Sequence, residues 1–248
     1  MSALLSLRSL FAVLAAVPLT FIFSAMTLVD LLLVRKNEIK AQFFPITWGR
    51  LICQMCQVRV DISGIEHLDP DATYIFVGNH ASQFDIFAFQ GYFPHDFRWI
   101  AKKELFRIPL FGPAMRRAGI IPIDRSAGRK AVKSLAQAAQ RIRSGSSVLI
   151  FPEGTRSRDG RLMPFKSGAA LLAIKSGVAV VPVGFNQTHQ IMPKGALLPR
   201  PGTVYLRVGE PIDVSELTTA DKQVFSERLY LEVAGLLDDC HRPASQEM

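Results

Sequence analysis

The sequence predicts an α/β fold: a single domain with a mainly parallel, mixed sheet of about seven strands flanked by helices, preceded by a hydrophobic helical membrane anchor. Three observations predict it. The first sixty or so residues are apolar and patterned for helix. From Val58 onward, short runs rich in Val, Ile and Phe alternate with helical periodicities. No internal repeat or linker interrupts residues 58–237. At 248 residues the chain has room for one generous α/β unit, which divides as an anchor over 1–57 and a domain over 58–248.

Residues 10–29 form a run of twenty without a charge, interrupted by Pro18 and a few hydroxyl side chains. About twenty apolar residues suffice to cross a bilayer. Arg8 precedes the run, Arg35, Lys36 and Lys40 follow it, and Asp30 interrupts it before residues 31–34 resume. A spanning helix and a bent hairpin seated in one leaflet and kinked near Pro18 both fit. A cleaved signal peptide fits less well, because the apolar run continues past Ser24 and Ala25. Residues 39–58 set Phe43, Phe44, Trp48, Leu51, Ile52 and Met55 among Lys40, Gln42, Arg50 and Gln54 at helical spacing. Such a helix lies either at a membrane interface or against the core.

Strands are predicted over 58–62, 73–77, 97–101, 120–123, 147–151, 178–184 and 204–208. The clearest helix between them is 127–143, where Val132, Leu135, Ala136, Ala139 and Ile142 recur on one face. Ser126 stands at its N-cap position and Gly145 just past its end. A further helix is predicted over 225–237.

Hydrophobic residues make up 49% of the chain, which excludes disorder. The net charge of +8 implies anionic partners. No helix-turn-helix, zinc-finger or RNP pattern points to nucleic acid, so the charge is assigned to phosphate groups and anionic lipid surfaces. Cys53, Cys56 and Cys240 make an odd count without a disulfide spacing. Cys53-Gln54-Met55-Cys56 lacks a second ligand pair and reads as packing within an amphipathic helix. The histidines are scattered, and no metal site is predicted.

The strand over 73–77 runs into Gly78-Asn79-His80, and Phe84-Asp85 opens a helical run. Five helical residues advance by about 500°, so a helix face cannot pair His80 with Asp85. With His80 in the turn and Asp85 in the first helical turn, the carboxylate can fix the imidazole tautomer and leave the other nitrogen as a base. The same letters fit another role: Ser82-Gln83-Phe84-Asp85 is a capping box, with Asp85 holding a backbone N–H.

The strand over 147–151 ends in Phe151-Pro152-Glu153-Gly154-Thr155-Arg156-Ser157, and Arg156, Arg158, Arg161 and Lys166 gather positive charge within eleven residues. An arginine fork suits a phosphate monoester. A solvated basic loop, a Glu153–Arg156 ion pair and a membrane-facing patch remain alternatives. Lys102 and Arg125 also follow predicted strands, and ligands of open α/β sheets bind beyond strand ends. Neither GxGxxG, GxxxxGK[ST] nor GxSxG occurs.

Four blocks in order resemble the glycerolipid acyltransferase family, most closely the bacterial 1-acyl-sn-glycerol-3-phosphate acyltransferases. They are Asn79-His80 with Asp85, residues 119–125, the Phe-Pro-Glu-Gly-Thr-Arg-Ser run, and Val180-Val181-Pro182-Val183. Together they cover about residues 75–185, less than half of the chain. The resemblance implies transfer of a fatty acyl group from acyl-CoA or acyl-carrier protein to the sn-2 hydroxyl of 1-acyl-glycerol 3-phosphate, giving phosphatidic acid in phospholipid biosynthesis. It implies that His80 takes the hydroxyl proton and Asp85 orients the imidazole. Lys102 (or Lys103 in its place), Arg125 and Arg156 become phosphate contacts, and Glu153, Gly154 and Thr155 shape the acceptor site. No cofactor is implied beyond the thioester donor. The expected setting is the cytoplasmic face of a bacterial inner membrane, with anionic lipids and possible acyl-carrier protein as partners. Another lyso-lipid, glycerol 3-phosphate or an amino-lipid are alternative acceptors. A non-catalytic membrane lipid-binding protein is the alternative of another class.

Overall fold

The structure is a computed structural model that describes residues 3–34, 42–124 and 129–242. Arg125 and Ser126 lie outside the described residues, as do Arg35, Lys36 and Lys40. All seven expected strands form: β1 (Val58–Ser63), β2 (Ile75–Gly78), β3 (Arg98–Lys102), β4 (Ile121–Ile123), β5 (Val148–Ile150), β6 (Val180–Asn186) and β7 (Gly202–Val208). They make one sheet in the order β1-β7-β6-β2-β5-β3-β4. Five neighbouring pairs are parallel and only β6 and β7 pair antiparallel, so the sheet is mixed.

Strands covered on both faces carry continuous apolar runs. β2 reads Ile-Phe-Val-Gly and is buried throughout, as is β6. Alternation along β2 divides the core into two layers. Ile75 and Val77 pack with α5 (Arg129–Arg143), α6 (Gly168–Ser176) and α8 (Lys222–Gly235). Phe76 points the other way, into an aromatic layer of Phe84, Phe89, Phe93, Phe97 and Phe185. That layer is covered by α2 (Phe43–Met55) and α3 (Phe84–Tyr92).

α2 and α3 approach closely enough that a Cβ on Gly49 would lie 2.8 Å from the Gly91 nitrogen, and one on Gly91 2.7 Å from the Arg50 nitrogen. Only glycine at both positions permits this contact. Arg50 Nε donates to the Gly91 carbonyl at 2.6 Å across the same seam. Of the two readings for residues 39–58, the helix that forms, Phe43–Met55, turns Gly49, Ile52 and Cys53 toward the core along this seam, and residues 39–41 lie outside the described residues. Its Cys53 and Cys56 are buried and free.

α1 (Ala3–Val29) runs as one helix through Pro18 and ends in a π-helical turn over Asp30–Val34. The kink near Pro18 offered as one reading does not break it. α1 packs on α2: Trp48 Nε1 donates to Thr20 Oγ1 at 3.1 Å. α1 also packs against α4 (Phe111–Arg117). Arg8–Leu33 is long and apolar enough to cross a membrane.

On α5 the inward face is Ala138, Ala139 and Ile142, while Ala136, expected on that face, is exposed. Gly145 follows with φ of +96°, the left-handed stop expected there. Three short helices carried no clear signal: α4, α6 and α7 (Thr188–Ile191). α6 is largely Ala, Leu and Ile and has no broad polar face for periodicity to reveal.

Candidate active site

β2, β3, β4 and β5 run parallel, so their C-terminal ends share one edge of the sheet. Beyond β2, Asn79 braces the edge. Its amide donates to the Phe185 carbonyl at 3.0 Å and its Oδ1 accepts the Phe185 N–H at 2.7 Å. His80 follows in the turn, and Asp85 is the second residue of α3. This is the arrangement the spacing required, with His80 ahead of the helix and Asp85 in its first turn.

Asp85 is fully buried, and its Oδ2 lies 2.7 Å from His80 Nδ1. The same oxygen accepts the backbone N–H groups of Ala81 at 2.8 Å and Ser82 at 2.9 Å. Ser82 Oγ in turn accepts the Phe84 N–H at 3.2 Å. Capping and pairing, alternatives in the sequence, coexist in one carboxylate. With Nδ1 held by Asp85, Nε2 is the ring nitrogen left for chemistry. The imidazole lies flat on Phe151, with centroids 4.1 Å apart and planes 5° from parallel.

The 151–157 loop grips His80 at both backbone groups. Glu153 Oε1 accepts the His80 N–H at 2.8 Å, and the Ser157 N–H donates to the His80 carbonyl at 2.8 Å. Glu153 is buried and turned toward His80. Among the described residues no ion pair joins it to Arg156, which removes that alternative. The Glu153 carboxyl is pushed up to about 8, mainly by burial and also by the nearby Asp85 charge, against the opposing pull of the His80 N–H. Asp85 Oδ1 and Glu153 Oε2 are buried without a hydrogen-bond partner among the described residues.

The stretch just after the loop is tied to the C-terminal segment. His241 is buried, its Nδ1 faces the Gly160 carbonyl at 3.0 Å and its Nε2 faces the Gln187 N–H at 3.1 Å. Those partners require the proton on Nδ1. The Leu162 N–H donates to the His241 carbonyl at 2.9 Å.

His80 and Phe151 form part of the wall of a largely apolar cavity of about 300 Å³. Much of the rest comes from α1 through Thr20, Phe23, Ser24 and Thr27, from Trp48, from Trp99 to Lys102, and from Phe111, Ala114 and Met115. The α1 hydroxyls are spent on their own helix, each donating to the carbonyl four residues back at 2.6 to 2.7 Å. They therefore leave that wall less polar than their side chains suggest.

Of the other expected residues, Lys102 shares this cavity and is half-exposed, 3.8 Å from Glu104. Lys103 is instead paired with Asp124 at 2.6 Å, and Lys102 is the lysine that lines the cavity with His80. Gly154 holds φ at +75°, and a Cβ there would meet Lys166 Nζ at 3.0 Å. Thr155 and Arg156 lie on the outer limb of the loop. Arg125, expected beside them, lies outside the described residues. Sequence reasoning missed Lys194, whose Nζ donates to Thr155 Oγ1 at 3.1 Å and to the Arg156 carbonyl at 2.9 Å. It also missed the part α1 takes in the cavity. The spacing of Thr20, Ser24 and Thr27 on one helical face was the available signal. Among the described residues no three His, Cys, Asp or Glu side chains converge as metal ligands would.

The sequence model of the Acyltransferase family matches residues 59–186, just over half of the chain. This chain belongs to the Acyltransferase family. It is 41% identical over 139 residues to the chloroplastic 1-acyl-sn-glycerol-3-phosphate acyltransferase of Brassica napus, covering 56% of this chain and 40% of that one. It is 31% identical over 166 residues to the 1-acyl-sn-glycerol-3-phosphate acyltransferase of Borreliella burgdorferi, covering 67% and 66%. The chain thus spans about two fifths of the plant relative's length. The crystal structure of the 1-acyl-sn-glycerophosphate acyltransferase PlsC of Thermotoga maritima aligns with a TM-score of 0.78 and 27% identity, over 95% of this chain and 96% of that one. The family resemblance read from the four blocks is borne out. In this Acyltransferase-family chain the matched segment contains His80, Asp85, Lys102 and the 151–157 loop.

Proposed function

We propose that this chain transfers a fatty acyl group from a thioester donor to the sn-2 hydroxyl of 1-acyl-glycerol 3-phosphate, producing phosphatidic acid for phospholipid biosynthesis. The observation that carries this reading is the position of His80. Its ring, backed by Asp85, lies in the wall of an apolar cavity, while its backbone is gripped by the loop bearing Thr155 and Arg156. One side suits an acyl chain and the other a phosphate. The names of the relatives favour the same reaction.

In the proposed step His80 Nε2 accepts the proton of the acceptor hydroxyl as its oxygen attacks the thioester carbonyl. Asp85 holds the resulting imidazolium through Nδ1. The tetrahedral intermediate collapses, the carbon–sulfur bond breaks, and the thiolate leaves with the proton returned from Nε2. The step needs no cofactor beyond the donor, which is acyl-CoA or acyl-carrier protein. Lys102, Arg156 and, on its motif position, Arg125 bind phosphate, while Glu153, Gly154 and Thr155 shape the acceptor pocket. Glu153 is spent on the His80 backbone N–H and its carboxyl is raised by burial, so Asp85, on Nδ1, is the carboxylate placed to balance the imidazolium.

Residues 1–57 serve as the membrane-associated segment and 58–248 as the catalytic domain. α1 is pinned along the domain by Arg8 to the Met55 carbonyl, Ser9 to the Pro199 carbonyl and Trp48 to Thr20. Phe11, Leu14, Val17, Ile22 and Val29 remain exposed on it, and Leu33 on the turn that follows. That pinning supports an interfacial helix rather than a free-standing span and sets the cavity beside the lipid, and the side this reading assigns is the cytoplasmic face of the membrane.

A panel of acceptors with labelled acyl-CoA and the full chain in anionic vesicles tests the proposal by product identification. Transfer to lysophosphatidate in preference to other lyso-lipids and glycerol 3-phosphate is expected. Equal use of all of them refutes the assigned acceptor.

A further inference from the structure

Two lysine ammonium groups flank the outer limb of the 151–157 loop, and the reaction as written uses neither. Lys194 arrives from the segment after α7, far away in sequence. Its Nζ donates to Thr155 Oγ1 at 3.1 Å and to the Arg156 carbonyl at 2.9 Å. An ammonium has three N–H donors, so one remains for a ligand. Lys166 comes from the other direction. Its backbone N–H donates to the Pro152 carbonyl at 3.1 Å, and its Nζ hangs over the open face of Gly154. A side chain at Gly154 would displace that ammonium, which gives the glycine a second reason besides its φ of +75°.

The nearby carboxylates are otherwise engaged. Glu153 is buried against the His80 N–H. Asp159 accepts the Ser157 hydroxyl at 2.9 Å and the Arg161 N–H at 3.1 Å. Among the described residues neither Lys166 nor Lys194 forms an ion pair with an acid. Two ammonium groups on the loop that carries Arg156, neither in an ion pair among the described residues, favour a ligand with more than one negative charge. A phosphate monoester carries about 1.5 to 2 negative charges near neutral pH, whereas a phosphodiester carries one.

We infer that Lys194 and Lys166 are specificity-determining residues that complete the Arg156 anion site and select a phosphate monoester headgroup over a phosphodiester. The inference rests on the proposed acceptor class and assigns the residues that read it. Both would bind the acceptor directly, Lys194 also holding the limb that presents Arg156.

The test measures kcat and KM of the full chain in vesicles with lysophosphatidate, lysophosphatidylglycerol and monoacylglycerol. Lys194→Met and Lys166→Met are each expected to raise KM for lysophosphatidate about 10- to 100-fold, the range for losing a charge-assisted contact. KM for monoacylglycerol should stay within about twofold, so selectivity between monoester and diester falls. Lys194→Arg should restore most of it. An equal loss on all three acceptors would make Lys194 a mere loop support and overturn the inference. So would equal losses on the monoester and the diester. If Lys194→Met fails to fold, Lys166→Met and Lys194→Arg carry the same comparison. Failure of the wild-type chain to use lysophosphatidate would instead strike the proposed function itself.

Discussion

The His80 ring shares a cavity with Phe23, Trp48, Ile100, Ala114 and Met115, an apolar wall gathered from α1, α2, β3 and α4. Its backbone is held by a single turn of chain that runs through Glu153 to Arg156, with Lys166 and Lys194 laid against it. The first surface loses nothing by excluding water, and the second must keep water close, because unpaired charges are costly to bury. A lipid acceptor has both characters. A base set at the boundary between them can meet a hydroxyl that lies between a phosphate and an acyl chain. The two sides also differ in how they are built. The cationic side is a local motif trimmed by two distant lysines, whereas the apolar side exists only once four elements have packed.

The contrast can be broken most severely at its hinge. Asp85→Asn keeps an oxygen for the Ala81 and Ser82 N–H groups, so the start of α3 should survive. The negative charge facing His80 Nδ1 is lost. Single-turnover acyl transfer should fall by roughly 10²- to 10⁴-fold with an unchanged circular dichroism spectrum. A fall of less than about fivefold would reduce Asp85 to a helix cap.

The apolar side is sharpened by filling it. Met115→Trp adds bulk to the cavity wall, and the preference between long and short acyl donors should move toward the shorter by about tenfold. The acceptor KM should not change. Competition between two acyl-CoA lengths reads this directly, and an unaltered ratio means that the acyl chain lies elsewhere.

The smallest effect concerns stability. The Glu153 carboxyl is raised from 4.5 to about 8, mainly by burial. A group raised in the folded state contributes stability that is complete below its unfolded value and lost as pH climbs through its folded value. Wild-type stability should therefore decline between about pH 4.5 and 8 relative to Glu153→Gln, by an amount on the order of a few kcal/mol. Denaturant titrations of both proteins across that range give the difference. Parallel curves would show that the carboxyl is not held neutral.

The sheet was legible because its strands are buried on both faces and announce themselves as short apolar runs, as β2 and β6 do. His80 and Asp85 were legible as a pair because only a turn followed by a helix start can join them. What stayed hidden has physical reasons. Lys194 is separated by some forty residues from the loop it touches, and one lysine in a Pro-Lys-Gly run carries no periodicity. The Gly49–Gly91 seam is a close approach between two helices, and neither glycine alone declares a partner. The cavity has no linear signature, since α1 contributes a stripe of residues otherwise indistinguishable from lipid-facing ones. α6 lacked a polar face and so lacked a period.

The central claim is that His80 is the base at the boundary of the two surfaces. It is tested most directly by comparing the full wild-type chain with His80→Ala in vesicles holding lysophosphatidate and labelled acyl-CoA. The account predicts labelled phosphatidic acid from the wild type. The variant should make it about 10²- to 10⁴-fold more slowly while binding the acceptor with similar affinity. Phosphatidic acid formation at an undiminished rate by His80→Ala would contradict it.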